Sequence, residues 1–432
     1  MLSFLRKLIP ERSPLRLAYH KWSAIFASLW YRFPGHDLTV IAVTGTSGKS
    51  TTVELIWYIL NESDIPCGSL STINFHIKNK TFKNKSLRTT LRPWQTQKWL
   101  RKMVKNKCEC VVIEASSHAI DQNRLWGIGM DTAVITNISE NEHLDYHGEF
   151  SNYLKTKLKL FQSLQTEYRK PNVPKIAIIN KDSKYADMFM DISCDRHWTY
   201  GIKNPADFYA KNKNLTNKNI EFDIRVPNDE AHISVAIIGE HNLENVLAGL
   251  TVAMTQKIPL PKIKEVLEKF PGVPTRLESI NENQNFSVLV DYTYKPSALK
   301  AVLKTLKAVS SSRLVVVWGG AGGRAESNWE ECGEILNEYA DEIVLTTDDP
   351  YEVDPKYIAA CVRKKIPRKE GENFFEIEDR YEAIRYAILT ALPNDTILIA
   401  GRGHEPIQTI GKKHIEFDDR EVCREILKSV SK

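Results

Sequence analysis

The sequence predicts an α/β protein in two successive parts: a mainly parallel sheet covered by helices over 38–271, then a smaller Rossmann-like domain over 272–432. A helical segment over 1–37 precedes them. Three observations lead there. From Leu38 onward, short apolar runs alternate with stretches of helical periodicity, the pattern of buried parallel strands joined by crossover helices. Residues 41–52 pass from an apolar run through a Gly-, Ser- and Thr-rich turn into a helical stretch, the strand–turn–helix unit that binds phosphate. The alternation then restarts after Pro271-Gly272-Val273-Pro274, a cluster that interrupts regular structure.

The elements follow in order. Near the N-terminus Arg6, Lys7, Arg12 and Arg16 lie among apolar residues, ahead of an uncharged run over 22–31 that includes Trp22, Phe26 and Trp30. That run is about half the length of a membrane span. No small-residue cleavage pattern follows it, so neither a signal peptide nor an anchor is expected. A helix packed on the first domain is the favoured expectation; a peripheral helix lying on a membrane surface is the alternative, since Trp, Phe and basic residues are its usual ingredients. Strands are expected at 39–44, 110–114, 132–136 and 175–179, and helices near 49–62, 93–105, 150–164 and 242–256. Two further runs, 220–226 and 232–238, read as a hairpin turning at 227–230. The Lys/Asn-rich stretch 78–85 reads as a solvated loop. In the second part, strands at 287–291, 314–319, 342–347 and 396–401 alternate with helices near 297–309, 329–339 and 379–392.

The chemistry starts at Thr44-Gly45-Thr46-Ser47-Gly48-Lys49-Ser50-Thr51-Thr52. Gly45 and Gly48 allow close backbone approach, Lys49 supplies a point charge, and Ser50 offers a hydroxyl to Mg²⁺. Val43 stands where the strict phosphate-loop pattern has glycine, so this is a variant of it. A nucleoside triphosphate is the expected ligand. The net charge of +5 is small for 432 residues and its basic residues are scattered, so nucleic acid is not implied. Seven cysteines without a C-x-x-C pair fit a reducing compartment and argue against a zinc ribbon or a disulfide framework.

Polar residues gather where strands end. The run 111–113 ends in Glu114-Ala115-Ser116-Ser117-His118. The run 134–136 ends in Asn137 and leads to Glu142-His143-Leu144-Asp145-Tyr146-His147-Gly148. Carboxylate, imidazole and hydroxyl groups at the carboxyl ends of neighbouring parallel strands converge beside such a loop. A Mg²⁺–nucleotide site is the expected result.

Taken together, these stretches resemble the Mur ligase family, ATP-dependent enzymes that add amino acids to the peptidoglycan stem peptide, and among them the MurE branch. The matching motifs run in family order: TGTSGKSTT at 44–52, EASSHAIDQNR at 114–124, TNISENEHLDYHG at 136–148, Asn180-Lys181-Asp182, GEHNLENVLAGL at 239–250, GVPTRLE at 272–278, VDYTYKPSAL at 290–299, TTDDP at 346–350 and AGRGHE at 400–405.

By resemblance, Gly45, Thr46, Ser47, Gly48, Lys49, Ser50 and Thr51 hold the ATP phosphates. His241, Asn242 and Asn245 meet the adenine, and Arg276 and Asp291 reach the nucleotide from the second domain. Ser50 and Glu114 take one Mg²⁺, and His143 helps bind a second. Lys157, in a K-x-x-L-F pattern, is carbamylated by CO₂, which turns a cation into a metal ligand. The resemblance gives Lys49, Glu114, His143 and Lys157 the catalytic roles. Thr89, Thr90, Ser116 and Arg124 fall in the acceptor segments; Asp348, Asp349, Pro350, Gly401 and Glu405 fall in the amino-acid segments.

The implied reaction activates a muramoyl-peptide carboxylate with ATP as an acyl phosphate, which a free amino acid then attacks. In the MurE branch an Arg after the Asp-Asp-Pro-type motif marks diaminopimelate enzymes, and Tyr351 stands there instead. Lysine or another diamino acid is therefore the expectation. Only about 37 residues precede the first strand, short for the family's uridine-binding domain. Leu91 follows Thr89-Thr90 where the family has proline, and Tyr294 stands where it has histidine. A lipid-linked or non-murein acceptor, a folate polyglutamate-type or cyanophycin-type ligase, and a non-catalytic nucleotide-binding scaffold stay open as alternatives. A cytoplasmic monomer is expected.

Overall fold

The computed structural model describes residues 12–86, 88–140, 144–274, 277–403 and 407–430. The chain divides into two compact units. One comprises 1–213, 221–235 and 241–270; the other comprises 214–220, 236–240 and 271–432.

In the first unit, helix α1 (Pro14–Trp30) precedes β1 (Thr39–Thr44). Helix α2 (Lys49–Asn61) leads to the short strands β2 (Cys67–Leu70), β3 (Asn74–Ile77) and β4 (Lys80–Lys83). Helix α3 (Pro93–Lys105), β5 (Cys110–Glu114), β6 (Met130–Ile135), helix α4 (Phe150–Thr166) and β7 (Ile176–Asn180) continue the alternation. Next come β8 (Arg196–Gly201), β9 (Phe208–Leu215), β10 (Ile220–Val226), β11 (Asp229–Val235) and helix α5 (Glu240–Thr255). The strands form one sheet in the order β11-β10-β9-β8-β7-β6-β1-β5-β2-β3-β4. The run from β9 to β2 is parallel, with β5 on one side of β1 and β6 on the other. The chain leaves β1 between strands reached by crossovers in opposite directions, and at such a switch point the strand ends open a ligand crevice. Val40, Ala42, Val111, Ile113, Ala133, Ile135 and Phe161 pack one face of this core.

A buried ionic group fastens the start of these strands. The fully buried Asp131 carboxylate accepts from Val40 N (2.9 Å), Lys175 Nζ (3.1 Å) and Lys170 Nζ.

The second unit has β12 (Glu278–Ile280), β13 (Ser287–Asp291), helix α6 (Pro296–Val309), β14 (Leu314–Trp318), helix α7 (Glu326–Tyr339) and β15 (Glu342–Leu345). Helix α8 (Pro355–Arg363), β16 (Phe374–Glu376), helix α9 (Arg380–Leu389), β17 (Thr396–Ala400), the hairpin β18 (Ile407–Ile410) and β19 (Lys413–Glu416), and helix α10 (Asp419–Val430) complete it. Its main sheet runs β12-β13-β17-β14-β15-β16, parallel except at β12. Alternation along β14 serves both faces: Leu314, Val316 and Trp318 join one core cluster, Val315 and Val317 the other.

Several local expectations change, and the strand expected at 342–347 ends at Leu345. The stretch 78–85 is not a loop: Lys80–Lys83 is an exposed edge strand paired antiparallel with β3, with Phe82 opposite Phe75. Its lysines suit an open sheet edge, which charge protects from further pairing. The second hairpin strand begins at Asp229 rather than 232, because Asn228 takes a positive φ of 70° and closes the turn directly after Pro227. The strand expected at 132–136 begins two residues earlier, at Met130.

Candidate active site

The carboxyl end of β1 delivers Gly45 and Gly48, and their neighbours leave no room for a side chain. A Cβ on Gly45 would lie 1.9 Å from Thr136 Oγ1, and one on Gly48, at φ 78°, would lie 2.2 Å from Asn245 Oδ1. Gly48 caps α2 with no side-chain bond, leaving the first-turn N–H groups to the loop's concave side. The loop is braced from β6: Asn137 O accepts from Thr46 N (2.9 Å), Asn137 Oδ1 accepts from Ser47 N (3.0 Å), and Thr136 Oγ1 donates to Ser47 O (2.6 Å). Thr46 Oγ1 meets Tyr153 OH at 2.8 Å. Asn245 links the far side, accepting from Thr52 Oγ1 (3.2 Å) and donating to Asn242 Oδ1 (2.9 Å).

Glu114 closes β5 beside this loop. Its Oε2 accepts three bonds, from Ser50 Oγ (2.9 Å), Thr72 N (2.7 Å) and Thr72 Oγ1 (2.9 Å). Lys49 Nζ bonds Gly45 O (3.0 Å) and Thr46 O (2.8 Å). Lys157, on α4 and 1 % exposed, bonds Thr44 Oγ1 and Gly45 O, each at 2.9 Å. Burial, reinforced by the nearby Lys49 charge and opposed by Glu114, pushes the Lys157 amine well below the ordinary lysine range.

A cavity of about 380 Å³ opens from this group, lined by Gly45, Lys49, Lys157, Arg88, Thr89, Thr90, Ser116, His118 and Arg124 among others. Thr90 Oγ1 donates to Glu114 O (2.8 Å) and accepts from Ser116 N (3.0 Å), so it fixes the floor. Arg124 is aimed by Gln122 Oε1, at 2.8 Å from Nε and 2.5 Å from Nη2. His118 lies against the Tyr146 ring, centroids 4.0 Å apart. Lys49, Arg88 and Arg124 in the lining suit an anionic substrate.

In the second unit Asp348 and Asp349 are buried after β15. Arg402 Nη1 lies 2.7 Å from Asp349 Oδ2 and 3.8 Å from Asp348 Oδ1, and Thr409 N donates to Asp349 Oδ1 at 2.6 Å. Gly401, at φ 120°, has no space for a Cβ, which would lie 2.2 Å from Asp348 Oδ2. Burial raises the Asp348 carboxyl to about 7, with Asp349 adding to the rise and Arg380 and Arg402 opposing it. Tyr351 follows Pro350 with a positive φ of 51° and is about half exposed.

Comparison with known proteins decides the family. The Mur ligase middle domain matches 43–253, and the Mur ligase glutamate ligase domain matches 275–403. The chain is 35 % identical over 404 residues to the UDP-N-acetylmuramoyl-L-alanyl-D-glutamate–2,6-diaminopimelate ligase of Bacillus cereus, covering 94 % of this chain and 81 % of that one. It is 34 % identical over 409 residues to the corresponding ligase of Clostridium botulinum, with the same coverage. A solved structure of a ligase with this name superposes at a TM-score of 0.74, with 29 % identity over 96 % of this chain and 82 % of that one. The chain belongs to the Mur ligase family.

It is accordingly an ATP-dependent ligase that forms amide bonds, of the MurE type. MurF of Thermotoga maritima in complex with ADP, at 18 % identity and a TM-score of 0.61, shares its fold, spanning 94 % of this chain and 82 % of that one.

Within this Mur ligase, Gly45–Ser50, Glu114, Lys157, Thr90, Ser116 and Arg124 come together in the first unit, with Asn242 and Asn245 against the loop. His241 lies in the first turn of α5 next to Asn242 and is exposed. Asp291 lies in the second unit, its buried carboxylate accepting from Leu277 N (2.7 Å) and Thr293 Oγ1. His143, Arg276 and Glu405 lie outside the described residues. Among the described residues no three His, Cys, Asp or Glu side chains gather as a metal cluster. The oxygen donors found here, the Ser50 hydroxyl and the Glu114 carboxylate, fit Mg²⁺ held in company with phosphate rather than in an all-protein cage.

Sequence reasoning missed Thr72, Tyr153, Arg88 and Arg402, and it placed Asn137 at a strand end without its role in bracing the loop. Asn137 and Arg402 were already inside matched motifs; Thr72 and Arg88 sit in irregular segments where no spacing marks them.

Proposed function

We propose that this Mur ligase joins a diamino acid to a carboxylate of a muramoyl dipeptide; its relatives are named as ligases of UDP-N-acetylmuramoyl-L-alanyl-D-glutamate and 2,6-diaminopimelate. The observation that carries the reading is the junction of the phosphate loop, Ser50–Glu114 and buried Lys157 with a cavity walled by Arg88, His118 and Arg124. Mg²⁺ there would draw charge from the transferring phosphoryl group. The cavity cations hold the acceptor carboxylate in line with the γ-phosphate. A carboxylate oxygen attacks the γ-phosphorus as its bond to ADP breaks; the amine then attacks the acyl carbon, phosphate leaves with the bonding electrons, and the amine nitrogen gives up a proton.

The low pKa of Lys157 supports its carbamylation. A neutral amine can attack CO₂, forming the N–C bond and releasing a proton, and the resulting anion suits a site beside a metal. Ser50, Glu114 and that carbamate, with His143, are the proposed ligand set. Asp348, Asp349 and Gly401, with Glu405, form the proposed amino-acid pocket. Tyr351 cannot supply the bidentate clamp that an arginine gives a carboxylate, which favours lysine or another diamino acid over diaminopimelate.

The test is phosphate release from Mg-ATP with a UDP-linked muramoyl dipeptide and a panel of amino acids, with product mass read in parallel. Turnover with a diamino acid is expected. Turnover confined to monoamino acids, or ATP binding without turnover on any of them, overturns the acceptor and amine assignments.

A further inference from the structure

We infer that α1 seats this chain on an anionic lipid surface, lying in the plane of the interface. Leu15, Tyr19, Trp22, Phe26 and Leu29 recur at spacings of four and three, one stripe of a helix. All five are exposed, at 55–70 %, as is Trp30 at 74 %. The opposite side of the helix faces the protein: Ala24, Ala27 and Ser28 are buried, Gln97 Nε2 donates to Ser28 Oγ at 2.9 Å, and Arg101 holds Tyr31 O at 2.6 Å. The helix is thus fixed by its small and polar face, and its large apolar face looks outward. Trp30 extends the stripe to Trp94 at the start of α3, ring centroids 6.3 Å apart.

Charge complementarity identifies the occupant. Neither 12–36 nor 85–108, the segments that carry α1 and α3, contains an Asp or Glu. Both carry exposed cations, among them Lys21, Arg32, Arg92, Lys98 and Lys102. An apolar stripe with aromatic ends, exposed cations and no acid within either helix is the make-up of an in-plane helix on anionic lipid; the nearby Asp37 is paired with Arg101. The face lies outside the loop and cavity described above, so this inference does not depend on the acceptor proposed for the enzyme.

Co-sedimentation of the full chain with phosphatidylcholine vesicles, with and without phosphatidylglycerol, tests it, with tryptophan emission followed in the same samples. Binding is expected only with phosphatidylglycerol, with a blue shift of emission and weakening in high salt. The exposed double variant Trp22→Glu/Phe26→Glu should lose about tenfold or more in affinity, and Lys21→Glu/Arg32→Glu should lower it at an unchanged melting temperature. Equal binding to neutral vesicles, or none to either, overturns the inference. So does a chain that is dimeric without lipid and becomes monomeric in Trp22→Glu/Phe26→Glu, which would make the face a contact between copies.

Discussion

Lys157 is a lysine placed where an ammonium is least welcome, fully buried and beside the charge of Lys49. If its use is carbamylation, then Lys157→Arg, which keeps charge and length but cannot react with CO₂, should lose activity about as completely as Lys157→Ala. Wild-type turnover in CO₂-stripped buffer should fall and recover on adding bicarbonate; equal rates in both buffers would rule the carbamate out. Lys49→Ala should cost about 10² to 10³ in turnover, the scale seen when a preorganised charge at a developing anion is removed. Asp348 offers a pH readout. Its folded-state carboxyl is raised from 3.8 to about 7, so the fold holds a proton that the unfolded chain has released. That contribution is fully present below about pH 4 and is lost as pH rises through 7. Asp348→Asn cannot ionise, so its melting temperature should gain on the wild type between pH 5 and 8, by about 2 °C or more. A constant difference across that range would show that Asp348 is ionised throughout.

Single elements place these residues, and two of them can be tested directly. Gly48→Ala puts a methyl group against Asn245 Oδ1 in a left-handed backbone. It should destabilise by about 1–3 kcal/mol, and Asn245→Ala in the same chain should restore part of the stability without restoring ATP binding. Asp131→Ala leaves Lys170 and Lys175 buried without their carboxylate and should cost about 3–5 kcal/mol in denaturant unfolding. What was legible in the sequence divides along the same line. The strand–loop–helix at 39–61 could be read because period, glycines and Lys49 all agree within one short segment. Glu114 could be read because it closes an apolar run. The β3–β4 hairpin could not, since the alternation of Asn74-Phe75-His76-Ile77 runs for only four residues, too short to stand out from a loop. Asp131 was hidden for another reason: an acid inside a strand looks like an error until Lys170 and Lys175, about 40 residues later, are brought to it. Thr72 is the same case in the site, chosen by a loop that no local pattern announces.

At the scale of the whole molecule, each unit owns a core. The first buries Val40, Val111, Ile135 and Phe161 on its large sheet, while the second has clusters on both faces of its smaller one. Two cores of this size fold as separate cooperative blocks unless an extensive apolar contact joins them. Calorimetry should therefore resolve two transitions. The phosphate loop, Glu114, Lys157 and both asparagines of α5 belong to the first unit, so Mg-ATP should raise that transition selectively. At a ligand concentration of about a hundred times the dissociation constant, the gain is about 2.7 kcal/mol, which for a block of this size is a shift of roughly 5–10 °C. Lys49→Ala should remove the shift, and Asp348→Asn should leave it intact while moving the other transition with pH. A single transition that rises as a whole with Mg-ATP would mean that the two units unfold together, and that ligand binding in the first is felt by the second.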